Sequence, residues 1–141
     1  MTSRKAAEQR AVHRALRTMG LKRRQSARGN GGWFVHRASP LNLSFEWDGA
    51  STYADGSLVL VEAELSPPNV MHIQAHVARL AVMVALKAPV SRFVWVVKRI
   101  YYRQLKAMVL TFAKCLQEGL AAQFPPMEFR DPWGQSIGAP C

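Results

Sequence analysis

Acidic residues are scarce in this chain. Nine Asp and Glu stand against nineteen Lys and Arg, which gives 141 residues a formal net charge of +10. A charge of this size says nothing about the fold, but it favours a polyanionic partner such as DNA or RNA. The alternative at this point is a basic surface without such a partner.

Cysteine and long apolar runs are scarce as well. Cys115 and Cys141 are the only two cysteines, and they form neither a metal-binding motif nor a disulfide framework. We therefore expect a reduced, intracellular, cytoplasmic setting. The stretch 77–97 is apolar, but charged residues and a proline interrupt it: Arg79, Lys87, Pro89 and Arg92. No membrane span is expected from it.

Hydrophobic residues make up 49% of the chain, which is enough to form the core of one domain over residues 1–141. The patterns predict helices over 4–19, 70–87 and 101–118, and strands over 33–38, 43–47, 58–65 and 92–98. A basic, Gly-rich loop over 20–32 and an irregular tail over 121–141 complete the chain. A helix between strands 58–65 and 92–98 favours a right-handed crossover that joins parallel strands.

The few acids are clustered. Five of the nine fall between positions 46 and 64, namely Glu46, Asp48, Asp55, Glu62 and Glu64. Glu62 and Glu64 end a run that otherwise has the pattern of a buried strand. Because they are two residues apart, both side chains leave the same face of that strand.

The turn before this strand decides which acids face each other. A three-residue turn over 54–56 would set Asp48 opposite Glu62 and Glu46 opposite Glu64, whereas a two-residue turn would put the acids out of phase. Facing carboxylates repel, so they either share a proton or bind a cation. An all-oxygen cluster suits Mg²⁺ or Mn²⁺. The alternative is a solvent-exposed acidic edge that pairs with arginines of the N-terminal segment.

These residues resemble the PD-(D/E)XK, or restriction-endonuclease-like, nucleases. Their αβββαβ core carries an Asp near the end of one strand and an acidic-x-Lys triplet on the next. Here the resemblance covers roughly residues 4–100 and rests on Asp48, thirteen intervening residues and Glu62-Ala63-Glu64. It implies an α/β fold with a mixed sheet flanked by helices. Trp47 replaces the family's Pro, and Glu64 replaces its Lys, the usual charge stabiliser.

The resemblance implies metal-dependent hydrolysis of phosphodiester bonds by an endonuclease, with DNA as the expected substrate. Asp48 and Glu62 would bind Mg²⁺ or Mn²⁺ with help from the carbonyl of Ala63. Glu64 would orient the attacking water or bind a second ion.

Three further residues would assist. Glu8 lies on the apolar face of the first helix, as a Glu does in many members of the family. Gln74 is predicted to face the sheet from the second helix. Lys98, at the end of its strand, would supply the positive charge that Glu64 leaves missing.

Basic residues of the N-terminal segment are expected to contact the nucleic-acid backbone. They are Arg10, Arg14, Arg17, Lys22, Arg23, Arg24 and Arg28. Members of the family are often dimers, so we expect a homodimer. His72 and His76 have the spacing of a helical zinc pair, but Ile73 stands where zinc proteases carry Glu. The pair is interpreted as incidental, on an exposed stripe.

Two functions from other classes stay open. The chain could be a non-catalytic nucleic-acid-binding module on a degenerate nuclease fold, because the usual Lys is missing. It could also be a protein-interaction subunit that assembles a phage or mobile-element complex.

Overall fold

A four-stranded mixed sheet with helices on both faces forms the described part of the chain. The computed structural model describes residues 3–22, 33–37, 42–120 and 124–139, and side chains within 6–22, 47–116 and 124–139. In chain order the elements are α1 (Ser3–Thr18), β1 (Trp33–Arg37), β2 (Asn42–Glu46), β3 (Gly49–Thr52), β4 (Leu58–Glu64), α2 (Val70–Ala85), β5 (Val90–Val97), a 3-10 helix (Arg99–Tyr101), α3 (Tyr102–Leu120) and β6 (Met127–Arg130). No helix within these ranges combines the length and the apolar character needed to cross a membrane.

The strand order of the main sheet is β3-β4-β5-β6, with β1 and β2 in a separate antiparallel pair. β3 runs antiparallel to β4, whereas β4, β5 and β6 are parallel. The predicted parallel connection from β4 through α2 to β5 is therefore confirmed, as is the α/β class with a mixed sheet between helices.

Strand β4 is buried on both faces, as is usual for a central strand with parallel pairing. Val59, Val61 and Ala63 pack with α1, and Leu60 packs with α2 and α3. The apolar face predicted for α1 is confirmed, because Val12 of that helix is fully buried among the β4 valines. Side chains alternate along a strand, so the even-numbered residues of β4 face α2.

The predicted three-residue turn is confirmed. The Tyr53 N–H donates to the Ser57 carbonyl at 2.9 Å, and Gly56 has φ +86°. Only a left-handed residue closes a turn of this length, and glycine adopts that conformation without strain. Asp55 accepts hydrogen bonds from the Ser57 N–H at 2.9 Å and from the Ser57 hydroxyl at 2.7 Å, so it belongs to the turn.

The strand predicted over 43–47 is wrong in one respect, because the structure interrupts it after Glu46. Trp47 turns into the core, where it is 1% exposed and packs edge-on against Phe93 with ring centroids 5.4 Å apart. Strand β3, which pairs with β4, begins at Gly49, where a Cβ would lie 2.2 Å from Cγ1 of Val12. The close approach of α1 thus requires glycine at the start of β3.

The prediction of an irregular tail over 121–141 is wrong for β6. Met127 and Phe129 are buried against β5, and Glu128 pairs with Arg92 of β5. The turn after β6 packs on the end of α1, since Thr18 donates a hydrogen bond to the Gly134 carbonyl at 3.1 Å. Pro125 and Pro126 directly precede this strand, and they obscured the short alternation of apolar and charged residues in its sequence.

A pair of glycine substitutions tests this packing. Gly134 and Gly56 both have positive φ, +90° and +86°, so alanine costs about 1–2 kcal/mol of backbone strain at either position. A Cβ meets nothing within 4 Å at Gly56, but at Gly134 it lies 2.7 Å from Cγ2 of Thr18. Gly134→Ala should therefore lose about 1–3 kcal/mol more than Gly56→Ala in urea denaturation. Equal losses would contradict the close contact between this turn and α1.

Candidate functional site

The carboxyl end of β4 carries two buried acids. Glu62 is 2% exposed and Glu64 is 8% exposed, and both face α2. Their burial contradicts the solvent exposure that the alternative of an acidic edge assumed for these two residues. Burial of a carboxylate is costly unless hydrogen bonds, a proton or a cation compensate its charge.

Asp48 and Glu62 are brought together as predicted. The Asp48 N–H donates to Oε1 of Glu62 at 3.1 Å, and the Ala63 N–H donates to Oδ2 of Asp48 at 2.9 Å. These two hydrogen bonds place Asp48 beside Glu62 and Ala63, as the β3–β4 register predicts for the residue just before β3. They also involve the N–H of Ala63, whereas the sequence assigned a role to its carbonyl.

Burial sets the protonation of the cluster. It raises the pKa of Glu62 well above its ordinary value, and the neighbouring charges of Asp48 and Glu64 raise it further. Burial also lowers the pKa of His76 to about 4, although the charge of Asp48 opposes that shift. His76 is therefore a neutral imidazole near pH 7.

His76 joins the cluster from α2, contrary to its predicted place on an exposed stripe. Its Nε2 lies 3.3 Å from Oε2 of Glu62 and 3.8 Å from Oε1 of Glu64. The ring packs edge-on against Trp95, with centroids 6.1 Å apart. Trp95 is the neighbour of Glu62 on β5, so strand pairing and helix packing meet at this point.

Gln74 was predicted to face the sheet and is instead exposed on α2. The buried side of α2 is centred on Ile73 and Leu80 because this helix packs against α3 as well as against the sheet. That rotation turns Gln74 outward and brings His76 over the acids. The spacing of Ile73, His76 and Leu80, three and then four residues, was the sequence signal for this face.

The other predicted site residues lie elsewhere. Glu8 is half-buried on α1, the helix that covers the opposite face of β4 from the acids. Lys98 is exposed after β5, beside α1. The side chains on the outer surface of α1 and just after it are exposed, namely Arg10, Arg14, Arg17 and Lys22. Outside the described residues lie Arg23, Arg24 and Arg28, together with the side chain of Glu46.

The chemistry of the cluster fits a divalent cation. Asp48, Glu62 and Glu64 supply carboxylate oxygens, which suit Mg²⁺ and Mn²⁺, and neutral His76 supplies a nitrogen. Nδ1 of His76 and Nε1 of Trp95 are buried without a hydrogen-bond partner among the described residues. With the side chains as they stand, the described residues contain no group of three or more His, Cys, Asp or Glu spaced to hold a metal ion. Binding would therefore require these side chains to turn.

The raised pKa of Glu62 has a consequence for stability. As the pH rises above 4.5, the unfolded chain releases the Glu62 proton before the folded chain does, so the native state loses stability up to the folded pKa. Glu62→Gln cannot lose this proton. In buffers without divalent cations its unfolding free energy should gain on that of the wild type as the pH rises above 4.5.

Asp55→Asn is the control of opposite sign. Hydrogen bonds from Ser57 lower the pKa of Asp55, so this variant should fall behind the wild type as the pH rises from the lowered pKa to 3.8, and the difference should then stay constant. Urea denaturation across the pH range measures both variants. A pH-independent difference between Glu62→Gln and the wild type would contradict the raised pKa.

Comparison with known proteins identifies no relative. No protein-family model matches the chain, and no curated protein or solved structure matches it significantly. The case for a function therefore comes from the residues and the geometry of the site.

Proposed function

We propose that this chain hydrolyses phosphodiester bonds of nucleic acid with the help of a divalent cation, with DNA as the expected substrate. The observation that carries the proposal is the position of Asp48, which donates to the buried Glu62 and accepts from the Ala63 N–H, beside Glu64 and His76. The rest of the chain is basic, with a net charge of +10. A basic protein that buries neighbouring acids at the end of a core strand has the charge pattern of a cation site facing a polyanion.

The order of elements supports this proposal. α1 precedes the strands, β3 and β4 form an antiparallel hairpin, and α2 leads to the parallel strand β5. The αβββαβ core of the restriction-endonuclease-like nucleases has this order too, although it has three strands before its second helix where this chain has four, of which β1 and β2 form a separate pair. Asp48 lies at the break before β3, and Glu62-Ala63-Glu64 ends β4, which corresponds to the positions of the family motif.

Each residue of the cluster has a role in the proposed reaction. Asp48 and Glu62 hold the cation, which when bound lowers the pKa of a coordinated water and stabilises charge on the phosphate. Glu64 orients the attacking water and accepts its proton. His76 stays neutral and fixes the carboxylate of Glu62 through the contact at 3.3 Å. Gln74 has no part, because it is exposed on α2.

A non-catalytic nucleic-acid-binding module is the second candidate. Two observations favour it: Glu64 stands where the family has Lys, and internal hydrogen bonds occupy one oxygen each of Asp48 and Glu62. Such a module would use the exposed basic face of α1 and would not cleave.

Asp48→Asn separates the two candidates. It keeps the size of the side chain and removes the charge that would hold the cation, so cleavage of plasmid, single-stranded DNA and RNA with Mg²⁺ or Mn²⁺ should fall by about 100-fold or more. The matched control is Asp55→Asn, the same chemical change at an exposed position of the same hairpin. It should cleave like the wild type.

Cleavage rates that are equal for Asp48→Asn and the wild type would contradict the assigned site. A wild-type chain that binds nucleic acid but cleaves none of the substrates with either cation would contradict the nuclease proposal and support the binding module. Circular dichroism of each variant shows that the fold is retained.

A further inference from the structure

A second concave site lies at the carboxyl ends of the parallel strands, on the face covered by α1. It is a pocket of about 470 Å³, within the range that buries small ligands. Its walls include Arg10, Arg14, Leu65, Lys98, Ile100 and Trp133. Ligands of open α/β sheets commonly bind beyond the carboxyl ends of the strands.

Trp133 stands exposed on this pocket although the turn that carries it is tightly held. Oδ1 of Asp131 accepts hydrogen bonds from the N–H groups of Trp133 and Gln135 at 2.9 and 3.0 Å, and the Gly134 N–H donates to the Asp131 carbonyl at 2.9 Å. The indole is nevertheless 69% exposed. A fixed turn that presents a large aromatic side chain to solvent gains nothing for the core, so the ring is free to pack against a ligand.

The charges around the pocket favour an anion. Arg99 pairs with Asp131 at 3.0 Å, and Arg14 donates to the Pro132 carbonyl at 3.3 Å. Arg10 and Lys98 are exposed, and neither forms an ion pair with another described residue. Among the described residues Asp131 is the only acid that lines the pocket, and three donors already engage its carboxylate.

We infer that this pocket binds a single-stranded segment of nucleic acid, with a base stacked on Trp133 and phosphates against Arg10 and Lys98. Aromatic platforms beside cationic side chains are how proteins hold single strands. A duplex keeps its base faces stacked inside, so it cannot use the indole in this way. The nature of the polymer rests on the proposed function, but this binding needs neither a cation nor the acidic cluster.

The pocket and the acidic cluster share one end of β4. Leu65, in the pocket wall, directly follows Glu64 of the cluster. The two sites lie on opposite faces of the sheet at that end, so a strand seated in the pocket passes the edge where the acids lie. A single strand bound in the pocket would thus extend toward the acidic cluster.

Binding in EDTA tests the inference without any contribution from cleavage. Fluorescence anisotropy would compare labelled oligodeoxyuridine, oligouridine and a duplex of equal length. The wild type should bind the single strands more tightly than the duplex, and a preference between the two single strands would identify the sugar and support the inference either way. Trp133→Leu should weaken single-strand binding roughly 5- to 150-fold, whereas Trp133→Phe should keep most of it.

Salt dependence tests the phosphate contacts. Arg10→Ala should reduce the slope of log affinity against log salt by about 0.7, the value for one single-strand phosphate contact. Lys114→Ala removes the same charge from an exposed position on α3 and should leave the slope near that of the wild type. In a Trp33→Phe background, quenching of tryptophan fluorescence by the oligonucleotide should largely disappear when Trp133→Phe is added, because the two remaining tryptophans, Trp47 and Trp95, are buried.

Three results would overturn the inference: unchanged affinity in Trp133→Leu, tighter binding of the duplex, or binding that does not depend on salt. Binding that does not depend on salt, or no binding of any oligonucleotide, would favour a protein surface as the occupant of the pocket instead. Loss of cleavage in Asp48→Asn would support the acidic cluster as the catalytic site, and weaker single-strand binding by Trp133→Leu would support the pocket. The two measurements are independent, so a negative result for one site would not affect the other.

Discussion

The register of the β3–β4 hairpin is the constraint on which the site depends. Gly56 closes the turn in a left-handed conformation at φ +86°, and the pairing that follows sets Asp48 beside Glu62. A slip of one residue would turn every side chain of β4 to the other face. The apolar packing opposes that slip, because Leu60 belongs to the core under α2 and α3 while Val61 belongs to the core under α1. The interactions that stabilise the sheet therefore also orient the acidic side chains toward α2.

Unfavourable features concentrate at one end of this sheet. Glu62 is buried beside two other carboxylates, and the ring nitrogens of His76 and Trp95 include buried atoms without a described partner. Elsewhere the described buried residues are apolar apart from Ser51 and Asp131, and ion pairing between Arg92 and Glu128 joins β6 to β5. Local violations of the burial rules within a consistent fold are typical of functional sites. The same end of the sheet carries acids on the α2 side and free cations with an exposed indole on the α1 side, which together suit a negatively charged strand and a cation.

The range of each interaction along the chain explains what the sequence could predict. The hairpin register depends on a local turn ending at Gly56, and the buried face of α1 depends on its own periodicity, so both were predictable. The break before β3 depends on the contact of Gly49 with Val12, far away in sequence. The rotation of α2, which buries His76 and exposes Gln74, depends on α3. Partners that are remote in sequence leave only weak local signals, and β6 was missed for the same reason.

If the cluster binds a cation as proposed, that cation should relieve the repulsion between the neighbouring carboxylates of Asp48 and Glu62. Carboxyl ¹³C NMR of labelled glutamate, assigned with Glu62→Gln, measures this directly in titrations with and without Mg²⁺. Glu62 should titrate well above 4.5 without Mg²⁺, and Mg²⁺ should lower its pKa. A Glu62 resonance that titrates near 4.5, or that ignores saturating Mg²⁺, would contradict the account.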